Sequence, residues 1–316
     1  MKVFFCKVDG GNFGDDMNEW FWDELFPGHS DIAPDTTLFG IGSILWRQNF
    51  VGNDKVVVMG SGSGYGVVPS ELPQGTEIGF VRGPRTAELL GLSAEHAITD
   101  PAAMVSTFDR FQDFNTSGEI VFIPHVGTAK LPLNWDRIAN RAGVSYVSPA
   151  GESEDVILRL ARAKLVLAES LHGAIIADAF RVPFVPVRIS PTFNTHKWLD
   201  WAESLDMDIE FEEFLSGMKS TRKRLAQIKQ VLLGSKKPKL ADEANGTRVA
   251  EVVSQDEKTQ ARKWVSRLAP AIEMMLVRDL QRAAQFPGFL SGDKILRTRQ
   301  EQITARVNEV RDRLAA

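Results

Sequence analysis

The chain has 316 residues, of which 43% are hydrophobic and 25% charged, and its formal net charge is −4. That length suits two ordinary domains or one large one, the composition is that of a soluble globular protein, and the mild acidity argues against nucleic-acid binding. The single cysteine, Cys6, allows no internal disulfide, which fits a reducing compartment, and its apolar setting reads as a buried structural thiol. Acidic residues arrive too early for a secretory signal, and no apolar run approaches the ~20 residues that span a bilayer.

Residues 2–8 read as a first strand. The glycine-rich run GGNFGDD at 10–16 follows as a loop. Residues 17–26 show helical spacing, with Trp20, Phe21 and Leu25 as the apolar stripe and Pro27-Gly28 as the stop. A strand, a glycine loop and a helix open a Rossmann-like half, but the loop is not GxGxxG and carries no dinucleotide fingerprint. Asp15 and Asp16 are poor neighbours for a phosphate unless one is protonated or works as acid or base; the plainer reading of Asp15 is a helix cap. Further strands are expected at 36–41, 55–59 and 77–81. After the second of these comes GSGSGYG at 60–66, either a flexible surface loop or a substrate lining in which Ser61 and Gly62 let backbone approach a ligand. Arg82 stands at the carboxyl end of the last strand, where a guanidinium grips an oxyanion bidentately. Arg85 lies one helical step further, in a helix from Pro84 to about residue 92. Residues 97–102 close this half as a short strand and turn, and 108–118 read as a linker.

The second half starts with a strand at 119–124 ending in His125, which either faces a ligand or is structural. A strand at 144–147 and an amphipathic helix at 153–163 precede a β-α-β unit at 164–188. Its first strand is Leu165-Val166-Leu167-Ala168, its helix the small and apolar stretch 174–180, and its second strand the proline-bracketed run 182–187. Between strand and helix lie Glu169, Ser170, Leu171, His172 and Gly173. Ser170 suits an N-cap, and the helix start offers N–H groups and a positive dipole end to a phosphate or carboxylate. Parallel sheets hold ligands at the carboxyl ends of their strands, and Arg188 ends the last strand on that side. His172 beside an anion site is the most chemically suggestive feature; the alternative is an imidazole satisfying a hydrogen bond in a packed core.

Residues 195–205 and 208–218 read as helices. The stretch 219–240 holds eight lysines and arginines and no acid. It is a solvated helix face with the tether GSKKPK at 234–239, or a loose attachment to an anionic membrane surface. Residues 241–246 read as a loop, and 258–286 and 295–314 as long helices, the last suited to brace both halves. Histidines at 29, 96, 125, 172 and 196 lack ligand spacing, so no metal site is expected.

Three stretches, GNFGDD at 11–16, FVRGPRTAELLGL at 80–92 with ITDPA at 98–102, and LVLAESLHGAIIADAFRVPFVPV at 165–187, resemble the polysaccharide pyruvyl transferase family in order and spacing. They look most like the bacterial exopolysaccharide ketal-pyruvate transferases. The resemblance implies an α/β fold of two Rossmann-like α/β/α domains facing a cleft, GT-B-like, with a helical C-terminal extension. The expected parts are an N-terminal Rossmann-like domain at 1–112, a second at 113–218, and a basic linker with C-terminal helices at 219–316. It implies phosphoenolpyruvate as donor, a sugar diol of an exopolysaccharide precursor as acceptor, free or lipid-linked, and a cyclic pyruvate ketal and phosphate as products. Asn12, Gly14 and Asp15 or Asp16 match the N-terminal motif, Arg82 the arginine after the fourth strand, Asp100 the DP turn, and His172 the family histidine. Many members carry an arginine two residues before that histidine, where this chain has Ser170. That arginine would bind the donor's anionic groups, which leaves Arg85 or Arg188 to replace it.

Such a donor needs at least two cationic or N–H-rich pockets, for which Arg82 and the helix start at Leu171 to Ala174 stand as candidates, with Arg85 or Arg188 assisting. Asp15 or Asp16 is the candidate acid for the enol methylene and His172 the candidate base for the acceptor hydroxyl, or the reverse. No step calls for a redox cofactor or an obligatory metal. The expected location is the cytoplasm, free or peripheral at the inner face of the membrane, with no nucleic-acid partner. Two alternatives stand: a GT-B-type glycosyltransferase whose nucleotide ribose is held by Glu169, and a non-catalytic saccharide-binding relative, for which Ser170 speaks.

Overall fold

The computed structural model describes residues 1–190, 193–232 and 253–315; the tether at 234–239 and the loop at 241–246 lie outside them. Every strand pairing within its two sheets is parallel. The first sheet has the order β1-β2-β3-β4, from β1 Lys2–Phe4, β2 Thr37–Phe39, β3 Val56–Met59 and β4 Thr76–Phe80. The second has the order β6-β5-β7-β8-β9, from β5 Ile120–Ile123, β6 Ser145–Tyr146, β7 Leu165–Ala168, β8 Phe184–Arg188 and β9 Glu212–Glu213. The protein is α/β.

Parallel strands are buried on both faces, and the two-residue period divides their side chains between two cores. In the second sheet Val121, Ile123, Val166, Ala168 and Phe184 enter one cluster, and Phe122, Leu165, Leu167, Val185 and Val187 the other. Leu38, Val57 and Met59 of the first sheet join the first of these clusters, so one core carries residues of both sheets. Phe39, Val56 and Val58 face a third cluster with Ile44 and Phe50.

After β1 come α1 Phe13–Asp16, α2 Phe21–Leu25 and α3 His29–Ile32, and after β4 comes α4 Pro84–Leu89. α5 Val126–Ala129 and α6 Trp135–Ala142 link β5 to β6, and α7 Ser153–Ala161 links β6 to β7. α8 Leu171–Ala179 completes the expected β-α-β unit, and α9 Thr195–Ser204 precedes β9. α10 Lys219–Leu232, α11 Gln255–Ala283 and α12 Asp293–Ala315 follow. Among the described residues no helix is long and apolar enough to cross a membrane.

Several segments depart from the expectation. The first strand stops at Phe4, and Cys6 is exposed rather than buried because the chain has left the ladder and turns through Gly10 and Gly11, at φ of 83° and 86°. The helix expected at 17–26 is a 3-10 turn, Met17–Glu19, followed by α2, with a break at Trp20. Buried Asn18 sits at that break. It donates to the Asp15 and Ile41 carbonyls and accepts from the Ile41 amide and Trp22 Nε1. Residues 97–102 give one bridge, Val81 to Ala97, and then a 3-10 segment, Pro101–Thr107, whose start Asp100 caps by accepting the Ala102 amide at 3.0 Å. The supposed linker at 108–118 is partly core: Phe108 and Phe111 pack against Trp20. No helix forms over 208–218, because Glu212–Glu213 pairs with β8 and Leu215 takes φ of 56° to give its amide to Asp279. α11 joins the outer cluster of the second sheet, and α12 packs beside β4 and α3 in the shared core.

Candidate active site

The strand order of the second sheet fixes where a ligand belongs. From β5 the chain runs outward to β6 and then returns to β7 on β5's other side. A crevice opens at such a switch point, at the carboxyl ends of the strands. There β5 runs into His125 and β7 into Glu169–His172. Fully buried Glu169 accepts the His125 amide at 3.0 Å and ties the two strand ends together. His125 Nδ1 accepts the Gly127 amide at 3.0 Å and caps α5. Ser170 Oγ accepts the Gly173 amide at 3.3 Å and caps α8, as the sequence suggests.

Loops that follow β1, β2 and β4 meet this end of the second sheet around a cavity of about 420 Å³. Phe4, Val8, Ile44, Trp46 and Val126 give it apolar walls, and Asn12, Asp15, Ser43, Arg82, His172 and Lys197 give it polar ones. His172 leans on Gly14 so closely that a Cβ there would fall 2.0 Å from its Nδ1. Its Nε2 lies 4.0 Å from Oδ2 of fully buried Asp100, and neither atom has a hydrogen-bond partner among the described residues. Burial, then the charges of Lys197 and Arg82, lower the His172 imidazole to about 3, so it is neutral at pH 7. Asp15 moves the other way. Burial raises its carboxyl to about 6 against the opposing hydrogen bond from Asn12 Nδ2, 2.6 Å long, and the charge of Lys197. Burial raises Asp100 to about 6 as well, with Arg82 opposing.

Arg82 is 1% exposed. Its Nε donates to Asp200 at 3.0 Å, one terminal nitrogen to Ser43 Oγ at 2.7 Å and the other to the Ser63 carbonyl at 2.5 Å. Gly62 lies flat against this guanidinium, since a Cβ there would come within 2.1 Å of Cζ. Asp200 is held in turn by the Thr86 amide and hydroxyl, at 2.9 and 2.7 Å.

The structure therefore gathers Asn12, Asp15, Arg82, His125, Ser170, Leu171 and His172 on one cavity, with Gly14 and Gly62 behind His172 and Arg82. Other candidates fall elsewhere. Asp16 accepts the Asn12 amide at 2.6 Å and faces a different hollow, with Glu19, Trp20, Glu152, Glu154 and Asp155. Ser61 is fully buried and donates to the Gly40 carbonyl. Gly173 sits in α8 against Ile123. Arg85 makes a bidentate pair with Glu203, at 2.9 and 2.5 Å, and Arg188 pairs with Glu213; neither lines the cavity. Glu169 is buried with one oxygen engaged by His125, so it offers no surface to a ribose. Sequence reasoning missed Lys197 and Asp200, both on α9. Asp200 had a signal, a carboxylate among the tryptophans of WLDWA; Lys197 had none.

Residues 106–191 match a family model described as polysaccharide pyruvyl transferase. Over 206 residues the chain is 42% identical to the succinoglycan biosynthesis protein ExoV of Rhizobium meliloti (strain 1021), a stretch covering 65% of this chain and 65% of that protein. The family-model match includes His125, Ser170, Leu171 and His172 of the cavity, while Asp15 and Arg82 precede it.

Proposed function

We propose, from the match of residues 106–191 to the polysaccharide pyruvyl transferase model, that this chain moves pyruvate from phosphoenolpyruvate onto a sugar diol and releases phosphate. The acceptor on this reading is a precursor of a bacterial exopolysaccharide, and the product a cyclic ketal. The cavity between the two sheets serves as the cleft of a GT-B-like arrangement. One observation carries the reading: a carboxyl raised to about 6 and an imidazole lowered to about 3 line the same cavity as a buried guanidinium. Groups whose surroundings push their pKa values apart make an acid and base pair.

In this mechanism Asp15 gives its proton to the methylene carbon of the enol, and the adjacent carbon becomes electrophilic. The first acceptor hydroxyl adds there and its proton passes to His172, with the Asp100 carboxylate 4.0 Å away as counter-charge for the imidazolium. The second hydroxyl then displaces phosphate and closes the ketal. Its proton returns to Asp15, and the His172 proton leaves with the phosphate. Arg82 and the capped start of α8 receive the donor's anionic groups. A donor anion beside Arg82 and Lys197 offsets the charges that lower His172, so the imidazole becomes a stronger base when the donor is bound.

The test is acceptor-dependent phosphate release from phosphoenolpyruvate, with the ketal methyl followed by proton NMR. His172→Ala is expected to reduce turnover by roughly 10²–10⁴ while the chain stays folded. Near-normal turnover in that variant, or no acceptor-dependent release by the wild type, would overturn the reading.

A further inference from the structure

A donor that carries both a phosphate and a carboxylate needs two cationic contacts, and the three arginines the sequence offers are each answered by a carboxylate already: Arg82 by Asp200, Arg85 by Glu203 and Arg188 by Glu213. Only Arg82 of these lines the cavity, and three of its hydrogen bonds go to Asp200, Ser43 and Ser63. Part of one guanidinium is left for a ligand.

Lys197, in the first turn of α9, lines the same cavity. Among the described residues it makes no ion pair. Its ammonium donates to the Tyr65 hydroxyl at 3.2 Å and lies 5.5 Å from the centre of that ring. Its charge acts on both Asp15 and His172, so it is near the acid and the base together. A neutral phenol and an aromatic face hold an ammonium without cancelling its charge. Moving from Tyr65 to an incoming oxyanion therefore breaks no ion pair, and the four-carbon stem gives the reach for that move.

We propose, resting on the pyruvyl-transfer reading, that Lys197 is the second oxyanion contact of the cavity, binding the phosphate or carboxylate of a small dianionic donor in place of the arginine that Ser170 replaces. The contact comes from α9 rather than from the start of α8. Tyr65 acts as its rest position.

The test uses the full chain and calorimetric titration with phosphoenolpyruvate, inorganic phosphate and pyruvate. Lys197→Met is expected to weaken phosphoenolpyruvate binding at least tenfold, and Lys197→Arg to restore most of it. Without ligand, Lys197→Met keeps the wild-type unfolding midpoint, and the His172 imidazole titrates at higher pH by NMR, which reports the lost charge independently of catalysis. Undiminished phosphoenolpyruvate binding by a folded Lys197→Met overturns the proposal while leaving pyruvyl transfer standing. Wild-type binding of inorganic phosphate that depends on Lys197, with no binding of phosphoenolpyruvate, keeps the oxyanion contact and overturns the donor. A wild type that binds none of the three overturns both.

Discussion

His172 owes its position to missing atoms as much as to contacts, since the bare Cα of Gly14 is what lets the ring lie beside α1. Its neutrality has a measurable consequence. An unfolded imidazole titrates near ~6.5, whereas in the fold His172 is lowered to about 3. Between those values the unfolded chain binds the extra proton, so the stability present above about 6.5 is lost as pH falls toward 3. Asp15 and Asp100, both raised to about 6, act in the opposite sense: their contribution is full below the ordinary carboxylate range and lost as pH rises through 6. His172→Gln removes only the first effect. It is therefore expected to gain on the wild type by roughly 1–2 kcal/mol between pH 7 and pH 5, measured by urea unfolding at both values. A difference that does not change with pH would mean that His172 is not buried in its neutral form. At this scale the sequence marks His172 by its neighbours Ser170 and Gly173. It cannot separate Asp15 from Asp16, because adjacent residues differ only in the direction the backbone gives them, and that direction is set by the Asn12 contacts to each.

Elements built from nearby residues were the legible ones. β7, the Ser170 cap and α8 follow from an apolar run, a serine and a run of small residues, and they stand where that pattern puts them. Elements defined by distant partners were not. Residues 97–102 read as a strand and turn, whereas the chain enters the 3-10 segment Pro101–Thr107, with Ala102 and Ala103 buried in the core shared with α8. The acidic stretch before Leu215 has helical composition, yet Asp279, far along the chain, sets its backbone. α9 is the clearest case, because its helical pattern predicts packing and hides a buried carboxylate. Asp200 and Arg82, 0% and 1% exposed at their side chains, form an ion pair 3.0 Å long between α9 and the end of β4. Removing one partner of such a pair leaves the other charged and buried, which costs about 3–5 kcal/mol. Asp200→Asn is expected to lower stability by an amount in that range and to weaken phosphoenolpyruvate binding, since Arg82 loses the group that orients it. Chemical denaturation and ligand titration check the two effects separately. A variant within about 0.5 kcal/mol of wild type would mean that Ser43 and Ser63 hold Arg82 unaided.

The C-terminal helices decide how the whole molecule hangs together. Seen as sequence they are charged amphipathic rods, the last suited to brace both halves, but an apolar stripe does not say which core it enters. α12 turns Leu296, Ile303, Val307 and Val310 into the cluster that also holds Val57 and Met59 of the first sheet and Val166 and Ala168 of the second. Its approach is fixed at both sheets. Asp178 of α8 accepts the Ser291 amide and hydroxyl, each at 2.7 Å, while Arg299 donates to the Ser204 carbonyl at 2.8 Å and Arg313 pairs with Glu77. A cavity opened in α12 should therefore be felt beyond the sheet it touches. Ile303, 0% exposed, is the position to test. Replacing a fully buried isoleucine by alanine costs about 2–5 kcal/mol, the spread reflecting how far the surroundings relax. If the shared cluster couples the two sheets, Ile303→Ala will speed native-state hydrogen exchange at the slowest amides of β3 and β7 by similar factors, because both then exchange through the same opening. Acceleration confined to β3 would instead mean that the sheets open separately, and that the site between them is assembled from two independently stable parts.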